Sequence, residues 1–140
     1  MEARIRADTE LPDTEKDALI KARRGQGRFR SNVLAYEHRC RVTGVENPEY
    51  LIASHIKPWS QSSNAERLDG ANGLLLSPHI DHLFDRGYIS FTDDGALLCS
   101  RLIDRSVLRQ LHVEPEINVG SFRAEQAAYL AYHRGFRLKS

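Results

Sequence analysis

The chain has 140 residues, 20 Lys+Arg against 19 Asp+Glu and 41% hydrophobic content, which suits one compact core and is too short for two domains of the usual size of roughly 100–150 residues. No apolar run approaches the ~20 residues that span a bilayer, the charged start MEARIRADTE lacks a secretory apolar stretch, and Cys40 and Cys99 form no Cys-x-x-Cys pair, so a cytoplasmic chain without a disulfide framework or cysteine zinc knuckle is expected. The net charge of +1 argues only weakly against a nucleic-acid partner, because partners respond to where charge sits.

Residues 1–20 carry six acids against three bases, and residues 21–41 carry seven bases against Glu37 alone. This divides an acidic, linker-like leader over 1–25 from a domain over 26–140. Thr14 with Asp17 suits a capping arrangement, Ala18, Leu19 and Ala22 have helical spacing, and Gly25 can end that helix. A second helix is expected over Phe29–His38. Val42–Thr43 and Tyr50–Ala53 read as two short strands joined by the turn-rich VENPE, and Pro58–Gly70 as loop. Leu74–Leu76 is a brief strand. Ser77 then caps a helix opened by Pro78, whose missing N–H is not needed there, and Gly87 closes it. Tyr88–Phe91, the turn TDDG and Ala96–Cys99 form a hairpin. Helices over Arg105–Leu111 and Arg123–Tyr132 follow, the second capped by Ser121. The class is α+β, with helices at both ends and short strands between them.

Candidate chemistry concentrates in Ala53–Gly87. His55 ends a short strand, where the backbone is fixed and a ring nitrogen can act as a general base near neutral pH; a structural histidine is the competing reading. Asn72 can tie two loops together through its amide, or serve only as a turn residue. On the helix after Pro78, 100° spacing gathers Ile80, Leu83 and Phe84 on the buried side. Asp81 and Asp85, four apart, then lie side by side at the edge of that stripe. Two such carboxylates repel unless a cation sits between them, either a hard divalent ion or a basic side chain such as Arg86. His82 lies farther towards solvent, and His79 borders the opposite edge. Lys57, Arg86 and the run Arg23, Arg24, Arg28 and Arg30 are candidate contacts to a phosphate backbone, with a solvated helix face as the alternative.

Taken in order, ASHIKPW, NGLLL and LFDRG resemble the HNH endonuclease family, the ββα-metal nucleases. The likeness extends to RRGQGRFR, CRVTG, ERLDGANGLLLSPHIDHLFDRGYISF and YLAYHR. It implies a ββα-metal (His-Me finger) core of a short β-hairpin and a helix, flanked by terminal helices and an extra hairpin. By this resemblance His55 takes a proton from the attacking water, Asn72 holds the loop and orients that histidine, and Asp81 and Asp85 occupy the metal positions, with His82 and His79 as weaker ligand candidates. The product would be a 5′-phosphate and a 3′-hydroxyl. Ser54 stands where many members carry a metal-binding Asp or His. A carboxylate at Asp81 favours Mg²⁺ or Mn²⁺ over zinc, since hard donors suit hard ions, and a structural zinc is not expected. The implied partner is DNA, in restriction or phage defence, with target choice supplied by a homodimer or by a separate recognition domain or subunit and with no membrane contact. A catalytically degenerate DNA-binding module and a protein-interaction domain are the rival readings.

Overall fold

The computed structural model describes residues 24–140, so the leader up to Arg23, with all but the end of its expected helix, lies outside the described residues. Helix α1 runs through 24–33, with Gly25 inside it rather than ending it, and gives way to turns at 34–36. The expected strand at Val42–Thr43 is instead a tight turn, closed by Gly44 N–H on the Cys40 carbonyl and Cys40 N–H on the Val45 carbonyl. Glu37 and Gln126 tie the turn after α1 to the C-terminal helix, with Arg41 bound to the same Glu37 carboxylate.

Strand β1 (Ile52–His55) pairs antiparallel with β2 (Gly73–Leu76), placing Ser54 opposite Leu74 and His55 opposite Gly73. Between them, Pro58–Gly70 is not plain loop. It contains a 3-10 turn at Trp59–Gln61 and helix α2 (Asn64–Leu68), whose Ser63 side chain accepts from Glu66 N–H while the Glu66 carboxylate accepts from Ser63 N–H. This reciprocal capping satisfies two amides that a short helix otherwise leaves open.

β2 is buried along its whole length because α1 covers it from one side. At Gly73 an added Cβ would stand 2.4 Å from Val33 Cγ2 and 2.7 Å from Phe29 Cζ, so only glycine lets the helix approach this closely. Helix α3 (Pro78–Asp85) follows at once, burying Ile80, Leu83 and Phe84. Its end is a Schellman closure: Tyr88 N–H reaches the Leu83 carbonyl, Gly87 N–H reaches Phe84, and Gly87 takes φ +77°. β1, β2 and α3 together make the ββα unit within a mixed α+β fold.

The second hairpin, β3 (Ile89–Phe91) with β4 (Leu97–Cys99), forms as expected. Helix α4 (Arg105–Gln110) is capped by Asp104, and α5 (Ala124–Phe136) closes the domain. Arg123, not Ser121, precedes the first turn of α5, its N–H held by the Gln126 side chain. His133 of α5 is buried (1% exposed), stacks on Phe84 at 3.8 Å and bonds to the Phe84 carbonyl and to Ser90. No helix among the described residues is long and apolar enough to cross a membrane.

Candidate active site

A cleft of about 480 Å³ opens beside β1 and α3, with His55, Ser54, Asp81, Asp85, Trp59 and Arg137 among its lining. His55 enters from the end of β1. Its ring lies flat on Phe29, centroids 3.6 Å apart and 6° from parallel, so the helix that covers β2 also sets the plane of the imidazole. Nε2 lies 2.9 Å from the Arg67 carbonyl. A carbonyl can only accept, so Nε2 carries the hydrogen and Nδ1 is left as the basic nitrogen in the neutral ring. Burial pushes the His55 pKa below its ordinary value, reinforced by the Arg67 charge and opposed by the bond to the Arg67 carbonyl. The neutral, proton-accepting form is therefore the one present near pH 7.

Asn72 is fully buried and uses both ends of its amide. Its Oδ1 accepts from Lys57 N–H at 2.8 Å, and its Nδ2 donates to the Glu66 carbonyl at 3.0 Å and to Ser62 Oγ at 3.4 Å. The exit of β1 and the loop bearing α2 are thus clamped together, and that loop presents the Arg67 carbonyl to His55. Asn72 thus lies at one remove from the imidazole.

Asp81 and Asp85 lie one turn apart on α3 and both line the cleft. Burial raises the Asp81 pKa above the usual carboxylate range; the neighbouring Asp85 charge raises it further, while the Ser54 hydroxyl bond and His82 pull it down. Ser54, where many members of the family it resembles carry a ligand, lines the same cleft as Asp81. Among the described residues no ion pair joins Arg86 to either aspartate, so the basic side chain weighed as their partner is not engaged there. His79 and His82 do not line the cleft, and His82 is exposed.

Among the described residues no group of three or more His, Cys, Asp or Glu side chains is arranged to hold a metal. The Asp81 and Asp85 carboxylates are oxygen donors of the kind that suits a hard divalent ion, which can complete its shell with water.

The basic candidates divide. Arg30 donates to the Leu51 carbonyl at 2.8 Å and also to the Pro48 carbonyl. Lys57 pairs with Glu66 at 3.0 Å. Both therefore serve the fold. Arg24 and Arg28 line a separate surface depression beside Gly27, Ser31 and Asn32, and Arg86 is exposed after α3. Two cleft residues were not legible in the sequence. Arg137 arrives from the far end of the chain, donating to the Asp85 carbonyl, and Trp59 belongs to a stretch read as loop.

A family model described as HNH endonuclease matches residues 40–92, which bears out the resemblance and covers β1, β2, α3 and β3. No curated protein matches the chain. Among solved structures, one titled "Modification dependent TagI restriction endonuclease" aligns at 22% identity and a TM-score of 0.42, over 74% of this chain and 34% of that one. The chain thus spans about a third of that protein's length.

Proposed function

From a central segment that matches the HNH endonuclease family, we propose that this chain hydrolyses phosphodiester bonds of DNA with His55 as general base and Asp81 and Asp85 as ligands of a divalent ion, Mg²⁺ or Mn²⁺. The observation that carries the reading is the contact of His55 Nε2 with the Arg67 carbonyl at 2.9 Å, which leaves Nδ1 as the basic nitrogen of a residue that shares its cleft with both carboxylates. In this role Nδ1 takes a proton from the attacking water, Phe29 and the Arg67 carbonyl fix the ring, and Asn72 fixes the loop that supplies the carbonyl. What a bound divalent ion supplies is neutralisation of the charge that grows on the phosphate and the leaving oxygen. Arg24, Arg28 and Arg86 hold the DNA backbone by charge, without selecting sequence. Activity in restriction or phage defence, with target choice made by a second copy or by another domain, completes the proposal.

The test is nicking of supercoiled plasmid with Mg²⁺, Mn²⁺ or EDTA. His55→Ala should keep the fold and DNA retention yet lose cleavage; continued cutting by the purified variant removes His55 from the role of base. Asp81→Ala and Asp85→Ala should each weaken Mn²⁺ binding in calorimetry, and unchanged titrations would move the ligands to His79 or His82. Retention of DNA with no cleavage by the wild type under any metal would favour the binding-module reading.

A further inference from the structure

Trp59, the single tryptophan of the chain, is 48% exposed at the wall of the same cleft that holds His55, Asp81 and Asp85. An indole at the wall of a polar cleft offers a broad π surface to whatever enters it. The ring is held firmly. The Arg67 guanidinium carbon lies 3.7 Å from its centroid, and that guanidinium is itself fixed by Nε donating to the Trp59 carbonyl at 3.0 Å and Nη1 donating to Asn64 Oδ1 at 3.3 Å. One indole face is thus backed by a cation, and no second aromatic ring packs on Trp59 among the described residues. Ile52, 39% exposed, and Pro58 extend the apolar wall. The backbone carbonyl of the same Arg67 receives the His55 hydrogen, so one residue sets both the indole and the imidazole.

We propose that Trp59, backed by Arg67, is a stacking platform for an unstacked nucleobase of the strand being cut, so that the cleft engages single-stranded or locally unpaired DNA more tightly than continuous duplex. This rests on the nuclease reading of the cleft. Every base offers a π-face, so the platform adds affinity without selecting sequence. The Arg67 guanidinium places a fixed positive charge beside the indole, which suits a base carried on a phosphate backbone better than an apolar protein segment.

The sole tryptophan makes the test direct. In EDTA, the protein is titrated with oligothymidylate, with an abasic strand of equal length, and with a duplex of that length, following tryptophan emission and affinity. Oligothymidylate should quench the emission and bind the wild type about 5- to 150-fold more tightly than it binds Trp59→Ala, the range that base–aromatic stacking gives. Trp59→Phe should recover most of the difference. The abasic strand should cause no quenching and bind wild type and Trp59→Ala alike, and the duplex should bind the wild type more weakly than oligothymidylate. Equal responses to oligothymidylate and the abasic strand overturn the proposal, a comparison that needs no variant to fold. Plasmid nicking by wild type with Mn²⁺ separates the two readings. Nicking without base-dependent quenching ends the platform and leaves the nuclease, whereas quenching without nicking ends the nuclease and leaves a base-binding module.

Discussion

In an unfolded chain His133 would titrate near 6.5, whereas in the fold its pKa is held down to about 4. Burial is the main cause, helped by the Arg137 and Arg134 charges and opposed by the bond to the Phe84 carbonyl and by Asp85. The hydrogen bonds agree with a neutral ring, since Nε2 donates to the Phe84 carbonyl at 2.8 Å and Nδ1 accepts from Ser90 Oγ at 2.7 Å. Between the two pKa values the unfolded chain holds a proton that the folded chain does not. The stability contribution is therefore complete above about pH 6.5, falls as the pH drops through the window, and levels off below about 4. The gap corresponds to about 3 kcal/mol, a large part of the ~5–15 kcal/mol that holds a domain together. His133→Gln keeps an amide able to donate to Phe84 and accept from Ser90, but it cannot titrate. Urea unfolding followed by circular dichroism from pH 7 to pH 4 should show wild type losing about 3 kcal/mol more than His133→Gln across the window. Parallel losses in the two proteins would refute the burial of a neutral His133. Because the ring grips the last turn of α3, acid should loosen the helix that carries Asp85 before it unfolds β1 and β2.

Gly73→Ala forces a methyl against Val33 and Phe29; at about 1–3 kcal/mol for overpacking it should lower the melting temperature by roughly 3–10 °C and depress cleavage through the displaced Phe29. Gly27→Ala, where a Cβ meets nothing within 4 Å, should be neutral or stabilising by about 0.5–1 kcal/mol, and equal losses in the two melts would contradict this packing of α1. Phe29→Leu removes the ring stacked on His55 and with it part of the burial that depresses its pKa, so the acid limb of the pH–rate profile should move to higher pH; a limb that stays or moves down would count against burial as the cause.

Much of α3 could be read directly, because Pro78, the 100° spacing and Gly87 are local signals that the structure uses locally; Ser77 stands at the N-cap position, but its hydroxyl bonds Thr43 at 2.7 Å and caps no amide of the helix. The TDDG hairpin was legible for the same reason. The partner of β1 was not. Val42–Thr43 looked like the nearer strand, yet Cys40 and Gly44 spend their backbone groups on a turn, and β1 instead finds β2 across the α2 loop, a choice made by the burial of Leu74–Leu76. Helix α2 did announce itself, through Ser63 and Glu66 at capping-box spacing, but eight polar residues between Pro58 and Gly70 outweighed the cue. The histidine and the two aspartates of the cleft could be found by motif and spacing. Phe29, Arg67 and Arg137 could not, since what each contributes is a ring face, a carbonyl or a guanidinium delivered from another part of the fold. Within the charge run over 21–41, Arg30 donates to backbone carbonyls and Arg41 to carbonyls and to Glu37, partners that only tertiary structure supplies.

The two halves of the cleft depend on a single strand register. His55 stands opposite Gly73 and Ser54 opposite Leu74, while Asp81 and Asp85 follow β2 after only Ser77 and the first turn of α3. A slip of β1 by one residue would turn His55 to the opposite face of the sheet, away from the cleft it shares with Asp81 and Asp85. Four-residue strands are too short to hold register by their ladder alone, so it must be set from outside. Phe29 and Val33 close over Gly73 on one side, and Asn72, immediately before β2, fastens the backbone of Lys57 just beyond β1. A side chain larger than hydrogen at position 73 or an Asn72 amide without its partners would thus disturb the base and the carboxylates together. Core substitutions at Phe29, Val33 and Gly73 should accordingly show up in the cleft's chemistry as well as in the stability of the domain.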